Sequence, residues 1–242
     1  MGAGSEGPDP TTPASDIGED EIDMAETEEK TGREKVLDRR RKVHEAIRQA
    51  AIDEFAANGF SGTSTQAIAK SAGLTKAQLH YYISSKEDLY EKILLEIMDE
   101  WRDIFFISSG EGEPEKVIRE YIRKKLEFGW KQPNASRVFS NEVAAGAPFL
   151  RKHWLQSLQA AHEAAAVLQS WIDRKLILPV DPLLFQVHMW AVTQHYADFG
   201  QQVRVMVGGD EHAELDREHI VEEVSTLFLR ACGIPTKTGK HD

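Results

Sequence analysis

The chain has 242 residues, of which 41% are apolar, and a formal net charge of −11. This apolar content is enough for a core in one large domain or two small ones. Its single cysteine, Cys232, excludes an intrachain disulfide and favours a reducing compartment. No uncharged apolar run is long enough to cross a membrane, so we expect a cytoplasmic protein without membrane association.

The charge is unevenly distributed along the chain. Residues 1–34 are rich in Gly, Pro, Thr, Asp and Glu, and we expect a disordered acidic tail because little apolar surface is available to offset the entropy of ordering. Residues 235–242 are expected to form a second disordered tail. By contrast, residues 33–82 contain nine Lys and Arg against five acids, which favours a DNA partner for this segment.

A long amphipathic helix is predicted from about Lys35 to Asn58. Its apolar residues recur at helical spacing, and Gly59 is expected to stop it. Near its start lies a basic cluster in which Arg40 and Arg41 are candidates for contacts with backbone phosphate.

Two short helices with a tight turn are predicted over residues 60–84. Thr63 precedes Gln66 by three residues, and Thr75 precedes Gln78 by three, so each pair is expected to form a capping box. Gly73 suits the turn because glycine enters the left-handed region without steric cost. This arrangement is typical of a helix-turn-helix, whose second helix enters the major groove of DNA.

The candidate DNA contacts are polar and aromatic side chains of these helices. Lysine and glutamine can read base edges, and tyrosine hydroxyls can bind phosphates. The alternative is a helical hairpin with a merely polar surface. The candidates in this segment are Thr63, Thr65, Thr75, Lys76, Gln78, His80, Tyr81 and Tyr82.

The rest of the chain is predicted to be helical, and no segment alternates as a strand would. The expected fold is therefore all-α, with a three-helix DNA-binding domain at 35–84 and a larger ligand-binding and dimerisation domain at 85–234. Helices are expected over residues 85–107, 115–131, 134–145, 148–176, 182–207 and 215–232.

The predicted helix 182–207 is apolar nearly all the way round. Such a helix must be buried on every side, so we expect it to form a homodimer interface together with helix 215–232. A symmetric dimer also suits a palindromic operator in double-stranded DNA. The alternative is a central helix of a monomeric bundle.

Polar side chains within that helix suggest a binding site. Trp190, Gln194 and Asp198 are spaced four residues apart and share a face. An indole can stack on a flat ligand while a primary amide offers one donor and one acceptor, which complements an imide or lactam. The alternative is that Trp190 is a core residue and Gln194 bonds to neighbouring protein.

Nothing in the sequence favours an enzyme. There is no nucleophile elbow, no phosphate-binding loop and no Glu-x-x-His pair, and His188 and His195 lack an evident third metal ligand. We therefore expect no catalytic residue, metal or cofactor. A DNA-binding protein without an effector, or one that responds to another small planar or hydrophobic ligand, remains an alternative.

Several motifs resemble the TetR family of bacterial transcriptional regulators. The DNA-binding domain at 35–84 is called the head below. The resemblance in and beside the head rests on GTSTQAIA at residues 62–69, AGLTK at 72–76 and LHYYISSKEDL at 79–89. It implies a helix-turn-helix regulator, and places Lys86 close to DNA.

The larger domain at 85–234, called the body below, resembles a pyrimidine-utilisation branch of that family. The matching runs are YIR at 121–123, PNASR at 133–137, AAGAP at 144–148 and WAVTQHYADF at 190–199. This resemblance implies that uracil or thymine binds through Trp101, Trp190 and Gln194, with weaker candidates at Phe139, Glu142 and Asp198. A ligand held between helices 85–107 and 182–207 is expected to shift the DNA-binding heads and change operator affinity.

Overall fold

The computed structural model describes residues 1–2, 19–105 and 112–236. Side-chain positions are described for these residues except 19–33, 102–105 and 155–157. All regular structure in the described part of the chain is helical, as predicted. The helices are α1 Glu19–Gly62, α2 Thr65–Ser71, α3 Lys76–Tyr82, α4 Lys86–Phe105, α5 Pro114–Lys131, α6 Pro133–Ala144, α7 Trp154–Asp173, α8 Pro182–Asp198, α9 Gly200–Gly208 and α10 Arg217–Ala231.

The described chain divides into two compact units, Met1–Ala46 and Ile47–Asp242. The second unit contains the helix-turn-helix and the helical body. None of the helices in the described ranges is long and apolar enough to cross a membrane.

Helix α1 begins earlier than predicted. It starts at Glu19, inside the segment expected to be disordered, whereas residues 3–18 of that segment lie outside the described residues. The part that is helical, residues 19–34, is rich in Glu, which has a high helix propensity and so favours this conformation without a buried face. Most of the predicted second tail, residues 237–242, also lies outside the described residues.

Gly59 interrupts α1 as predicted. Its backbone angles are φ 68° and ψ 175°, which are not helical. This region is essentially restricted to glycine, so the chain can turn here before α2 begins.

Two helices of the predicted body are shorter than expected. The predicted helix 148–176 instead begins with a short 3₁₀ turn, Arg151–His153, followed by α7. The predicted helix 182–207 is broken between α8 and α9 at Phe199, which has φ −116° and ψ 28°. Gly200 follows directly, and its low helix propensity weakens continuation through this point.

The core of the body is formed mainly by α5, α7, α8 and α10. Ile122, Leu168 and Trp171 are fully buried in it, and Phe185 of α8 packs edge-on against Phe228 of α10 with ring centroids 5.5 Å apart. This packing fixes α8 against α10, and α8 also lies against α5, so Thr193 and Gln194 of α8 are held inside the body.

Candidate DNA-binding surface and effector site

Helices α2 and α3 form the predicted helix-turn-helix. Gly73 lies in the turn with φ 70°, and the N–H of Leu74 donates to the carbonyl of Ala69 at 2.8 Å. Ile68, Ala69 and Leu79 are completely buried and hold the two helices together. The turn is therefore stabilised by glycine conformation, backbone hydrogen bonding and apolar packing at once.

The two capping predictions have different outcomes. At α3, Thr75 Oγ1 accepts from the N–H of Gln78 while Gln78 Oε1 accepts from the N–H of Thr75, which confirms the capping box. At α2, the prediction was wrong because Ser64, not Thr63, is the N-cap and accepts from the N–H of Ala67.

Thr63 also cannot serve as a DNA contact in this conformation. Its side chain is 3% exposed, and its hydroxyl lies 2.8 Å from the carbonyl oxygen of Gly59 and 3.0 Å from that of Glu54. The break at Gly59 places both carbonyl oxygens beside the Thr63 hydroxyl, which acts as their hydrogen-bond donor. Thr63 therefore holds the junction between α1 and α2.

The outer surface of α3 carries most of the other candidates. Thr75, Lys76, Gln78 and His80 are exposed, and Tyr81 is 79% exposed. Gln78 Oε1 accepts the hydrogen bond of the cap, and the two N–H groups of the amide point to no partner that the cap requires, so they can serve a further partner. The remaining candidates, Thr65 of α2 and Tyr82 of α3, are half-buried.

Lys86 is directed into the head rather than away from it. Its Nζ donates to the carbonyl oxygens of Phe60 and Thr63, each at 2.9 Å, and lies 4.2 Å from the centroid of the Phe60 ring. These contacts satisfy two carbonyls near the α1–α2 junction. The structure thus gives Lys86 an anchoring role at the start of α4. A DNA contact by the remaining N–H of its ammonium stays a prediction.

The basic residues predicted for phosphate contact in α1 belong to the first unit. Arg40 and Arg41 are both exposed. Asp38 lies 3.7 Å from the guanidinium of Arg41 and 2.8 Å from the ammonium of Lys42, and the hydrogen bond from Lys42 lowers the pKa of the Asp38 carboxyl. A phosphate contact by Arg40 or Arg41 stays a prediction.

In the body, three aromatic side chains from three helices lie in a row, with Phe139 in the middle. The ring of Phe139 on α6 is 4.4 Å from that of Trp101 on α4 and 6.4 Å from that of Trp190 on α8. Residues that are 89 positions apart along the chain are therefore brought round a single ring by the packing of α4, α6 and α8. The three aromatic residues predicted as effector contacts thus lie together in the fold.

Gln194 lies at the centre of a polar network beside these rings. Its Nε2 is 2.6 Å from Ser136 Oγ, 3.1 Å from Ser140 Oγ and 2.9 Å from Asp198 Oδ1. Ser140 Oγ in turn donates to Asp198 Oδ2 at 2.8 Å. Gln194 is thus bonded to side chains of α6 and α8, and this network fixes the orientation of its amide.

Three buried polar atoms of this region have no hydrogen-bond partner within the described part of the chain. They are the indole nitrogens of Trp101 and Trp190 and the amide oxygen of Gln194. Leaving such atoms unpaired costs about 1–3 kcal/mol each, so a native site of this kind calls for an explanation. A ligand with complementary polar edges would supply the missing partners.

Glu142 was a candidate ligand contact, but it has another role. Its Oε1 accepts from the backbone N–H of Phe149 at 2.7 Å and of Leu150 at 3.2 Å. Its charge and hydrogen bond also contribute, after burial, to raising the pKa of Tyr90. Glu142 thus holds the chain that follows α6 through its Oε1. An effector contact by this carboxylate stays a prediction.

Lys125 of α5 was missed by the sequence interpretation. It is 3% exposed, and its Nζ lies 3.2 Å from the centroid of the Trp101 ring. Burial lowers the pKa of its ammonium to about 7, opposed by the negative charge of Asp198. The sequence contained a signal for this burial, because Lys125 follows Ile122 by three residues and precedes Leu126 on the apolar face of an amphipathic helix.

An exposed helix-turn-helix joined to a helical body with a buried polar cluster defines a DNA-binding transcriptional regulator with a sensory domain. Comparison with known proteins agrees. The family description "Bacterial regulatory proteins, tetR family" matches residues 47–93, and "YcdC-like protein, C-terminal region" matches residues 94–235. The chain belongs to the TetR family of transcriptional regulators.

Curated relatives and solved structures give the same result. The HTH-type transcriptional regulator RutR of Escherichia coli (strain K12) is 38% identical over 185 residues, covering 76% of this chain and 87% of that protein. A TetR family regulator from Marinobacter aquaeolei VT8 shares the fold with a TM-score of 0.62 at 23% identity, covering 81% of this chain and 97% of the other. AibR in complex with isovaleryl coenzyme A and operator DNA has a TM-score of 0.54 at 20% identity, covering 76% and 97%.

Proposed function

We propose that this regulator is a cytoplasmic homodimeric repressor of a palindromic operator, and that uracil or thymine is the effector that releases it from DNA. The observation that carries the proposal is the set of unpaired polar atoms at Trp101, Trp190 and Gln194. The similarity to RutR and the resemblance to the pyrimidine-utilisation branch support it.

The chemistry of this site complements a pyrimidine-dione. Two indole N–H groups can donate to two ring carbonyls, and the amide oxygen of Gln194 can accept from the ring N–H that lies between them. The aromatic side chains supply faces on which a flat ring can stack. An aliphatic ligand would leave the same three buried atoms unpaired, which disfavours it.

Helix α4 offers a direct route from the effector to the DNA-binding head. Its first residue, Lys86, holds the carbonyls of Phe60 and Thr63, and Trp101 lies in the effector site four turns later. At 1.5 Å per residue these two positions are about 22 Å apart along one helix. A displacement of α4 at Trp101 is therefore transmitted to the start of the helix-turn-helix.

Ion pairs join the same helix to neighbouring elements. Arg48 donates to Glu96 and Glu100 of α4, each at 2.9 Å, and Glu100 accepts from Gln132 Nε2 at 2.9 Å. These contacts fix α4 to the core of the head and to the region between α5 and α6. For release to occur, the effector must bind better to the DNA-incompetent arrangement of these contacts, since only differential affinity shifts an equilibrium.

Binding to operator DNA tests the proposal. DNA fragments would be selected by their binding to the purified chain, and affinity measured by fluorescence anisotropy at fixed salt with and without uracil, thymine or adenine. We expect uracil or thymine to weaken binding at least about tenfold, a coupling of the usual allosteric size, and adenine to have no effect. Equal affinity with and without saturating uracil and thymine would contradict the proposed effector.

Substitution at the site tests the residue assignment. Gln194→Ala removes the central amide and should abolish the response to uracil or thymine while DNA binding persists. Gln169→Ala is the matched control, because Gln169 bonds to Asp173 on the surface of α7. A full response in the Gln194→Ala protein would show that the effector binds elsewhere.

A further inference from the structure

Lys125 occupies an unusual position for a lysine. Its side chain is 3% exposed within α5, next to the apolar core residues Ile122 and Leu126. Burial of an ammonium is unfavourable unless charge or hydrogen-bonding partners compensate for lost water. A methionine of nearly the same length would fill this position without that cost, so the charge itself calls for a role.

The face of the Trp101 indole provides part of the compensation. Lys125 Nζ is 3.2 Å from the ring centroid of Trp101 and 5.8 Å from that of Phe128, which is within the range of cation–π attraction. The carboxylate whose charge acts on Lys125 is Asp198, and it already accepts hydrogen bonds from Gln194 and Ser140.

The ammonium therefore covers the ring on which a planar effector would stack. Phe128 meets Trp101 edge-on at an interplanar angle of 82°, and Phe139 is tilted by 58° against it. A flat ligand that takes the covered face must displace the ammonium. Once displaced inside the body, the ammonium needs a new acceptor.

We propose that Lys125 binds the effector directly, moving from the face of Trp101 to donate a hydrogen bond to a ring carbonyl oxygen of a cyclic imide or lactam. The inference rests on the proposed function, because it takes the effector to be planar and to bear carbonyl groups. It adds a charged donor to a site otherwise formed by indoles, an amide, hydroxyls and the Asp198 carboxylate. It also selects against flat hydrocarbons, which would leave the displaced ammonium without an acceptor.

Binding should also change the protonation of Lys125. Burial lowers the pKa of the free ammonium to about 7 despite the opposing charge of Asp198, and a carbonyl acceptor favours the charged form and so raises this pKa on binding. The complex then takes up protons above pH 7. By linkage, effector affinity falls as pH rises from about 7 to 9, by at most about tenfold per pH unit.

Four other titratable groups on the packed helices are either neutral in this pH range or bonded elsewhere. On α5 itself, burial raises the pKa of Tyr121, which stays neutral across this range. Glu100 of α4 is paired with Arg48, Glu142 of α6 accepts from the backbone beyond α6, and Glu218 of α10 pairs with Arg123. Asp198 of α8 remains the carboxylate that acts on Lys125.

Calorimetric titration of uracil and thymine into the full chain tests the inference. The wild type, Lys125→Met and Lys124→Met would be compared at pH 8 in two buffers with different ionisation enthalpies, which separates proton uptake from binding. Lys124 is the matched control because it pairs with Glu120 on the exposed side of α5. Thermal unfolding of each protein without ligand would be recorded alongside.

We expect Lys125→Met to bind at least about tenfold more weakly than the wild type, the size expected for one hydrogen bond to a charged donor. It should also lose the proton uptake seen in the wild type and in Lys124→Met. Its melting temperature should be equal or higher, because a buried charge has been removed, so weaker binding cannot then be attributed to unfolding.

The outcomes separate the two proposals. If the wild type binds uracil or thymine and Lys125→Met binds equally well with equal proton uptake, Lys125 is not an effector contact and the proposed function is unaffected. Weaker binding with unchanged proton uptake would likewise overturn direct donation by Lys125. If the wild type binds neither base, the proposed function fails, and the assignment of Lys125 fails with it.

Discussion

At the residue scale, the contacts of individual side chains separate anchoring from recognition. Lys76 and Tyr81 are exposed on α3, whereas Thr63 and Lys86 direct their polar groups to carbonyls within the head. All four are polar residues in or beside the same motif. The hydrogen bonds, not the residue types, show which of them already bond within the protein.

Lys86→Met tests the anchoring role. The change leaves the carbonyls of Phe60 and Thr63 without their charged donor, and we expect a loss of about 1–3 kcal/mol in the free energy of unfolding, together with weaker operator binding. Urea unfolding and DNA-binding anisotropy measure the two effects.

The control for this prediction is Lys92→Met. Lys92 has a side chain that is 66% exposed and lies 3.9 Å from Glu96, so its replacement should change stability by less than about 0.5 kcal/mol. If Lys86→Met lost DNA affinity at unchanged stability, direct phosphate contact would replace anchoring as the role of Lys86.

At the element scale, the close approach of α5 and α8 positions the residues of the proposed effector site. Gly129 of α5 faces Ala197 of α8 so closely that a Cβ atom added at Gly129 would lie 2.7 Å from the Ala197 Cβ. These two helices carry Lys125 and Gln194, respectively. The distance between α5 and α8 therefore determines how the Lys125 ammonium and the Gln194 amide are placed relative to each other.

Gly129→Ala should separate these helices. Overpacking typically costs about 1–3 kcal/mol, more than the roughly 0.5–1 kcal/mol that alanine gains over glycine within a helix. We expect lower stability by thermal and urea unfolding, and weaker effector binding by calorimetry.

Gly200→Ala is the matched control for the helix contact. Gly200 begins α9 and has no heavy atom within 4 Å of an added Cβ, so alanine should raise stability by about 0.4–1 kcal/mol by restricting the unfolded chain. Stabilisation by both substitutions would contradict the tight contact between α5 and α8.

At the scale of the whole molecule, an apolar surface on the body agrees with dimerisation. Leu184 and Val187 of α8 are 52% and 51% exposed, and Leu227 of the adjacent α10 is 56% exposed. The buried residues Phe185 and Met189 occupy the opposite side of α8. A helix that is apolar all round is thus covered on one side by its own chain and left open on the other, where a second subunit can pack.

Leu184→Glu should disrupt the dimer. A carboxylate buried at a symmetric interface faces its own copy and loses hydration, so we expect monomers by analytical ultracentrifugation and loss of operator binding. Val36→Glu, which adds the same charge at a residue that is 68% exposed in α1, should leave the dimer intact. A dimer that persists unchanged in Leu184→Glu would place the interface elsewhere.

Local sequence was sufficient for the fold class and for the recognition element. The α3 capping box, the left-handed Gly73 and the break at Gly59 depend on backbone preferences and on contacts within a few residues, so their patterns can be read directly from the chain. Helical periodicity likewise located most of the body helices, because one face of each must be buried. It could not locate the break at Phe199, which leaves the apolar pattern uninterrupted.

Tertiary packing alone decided which polar groups bond within the protein and which keep unpaired atoms. Gln194 of α8 is bonded to Ser136 of α6, while Lys125 is brought onto the ring of Trp101 from another helix. Such contacts join residues far apart in the chain, and the cost of burying a charge or an unpaired amide depends on every neighbour in three dimensions. A single sequence specifies those neighbours only through the completed fold.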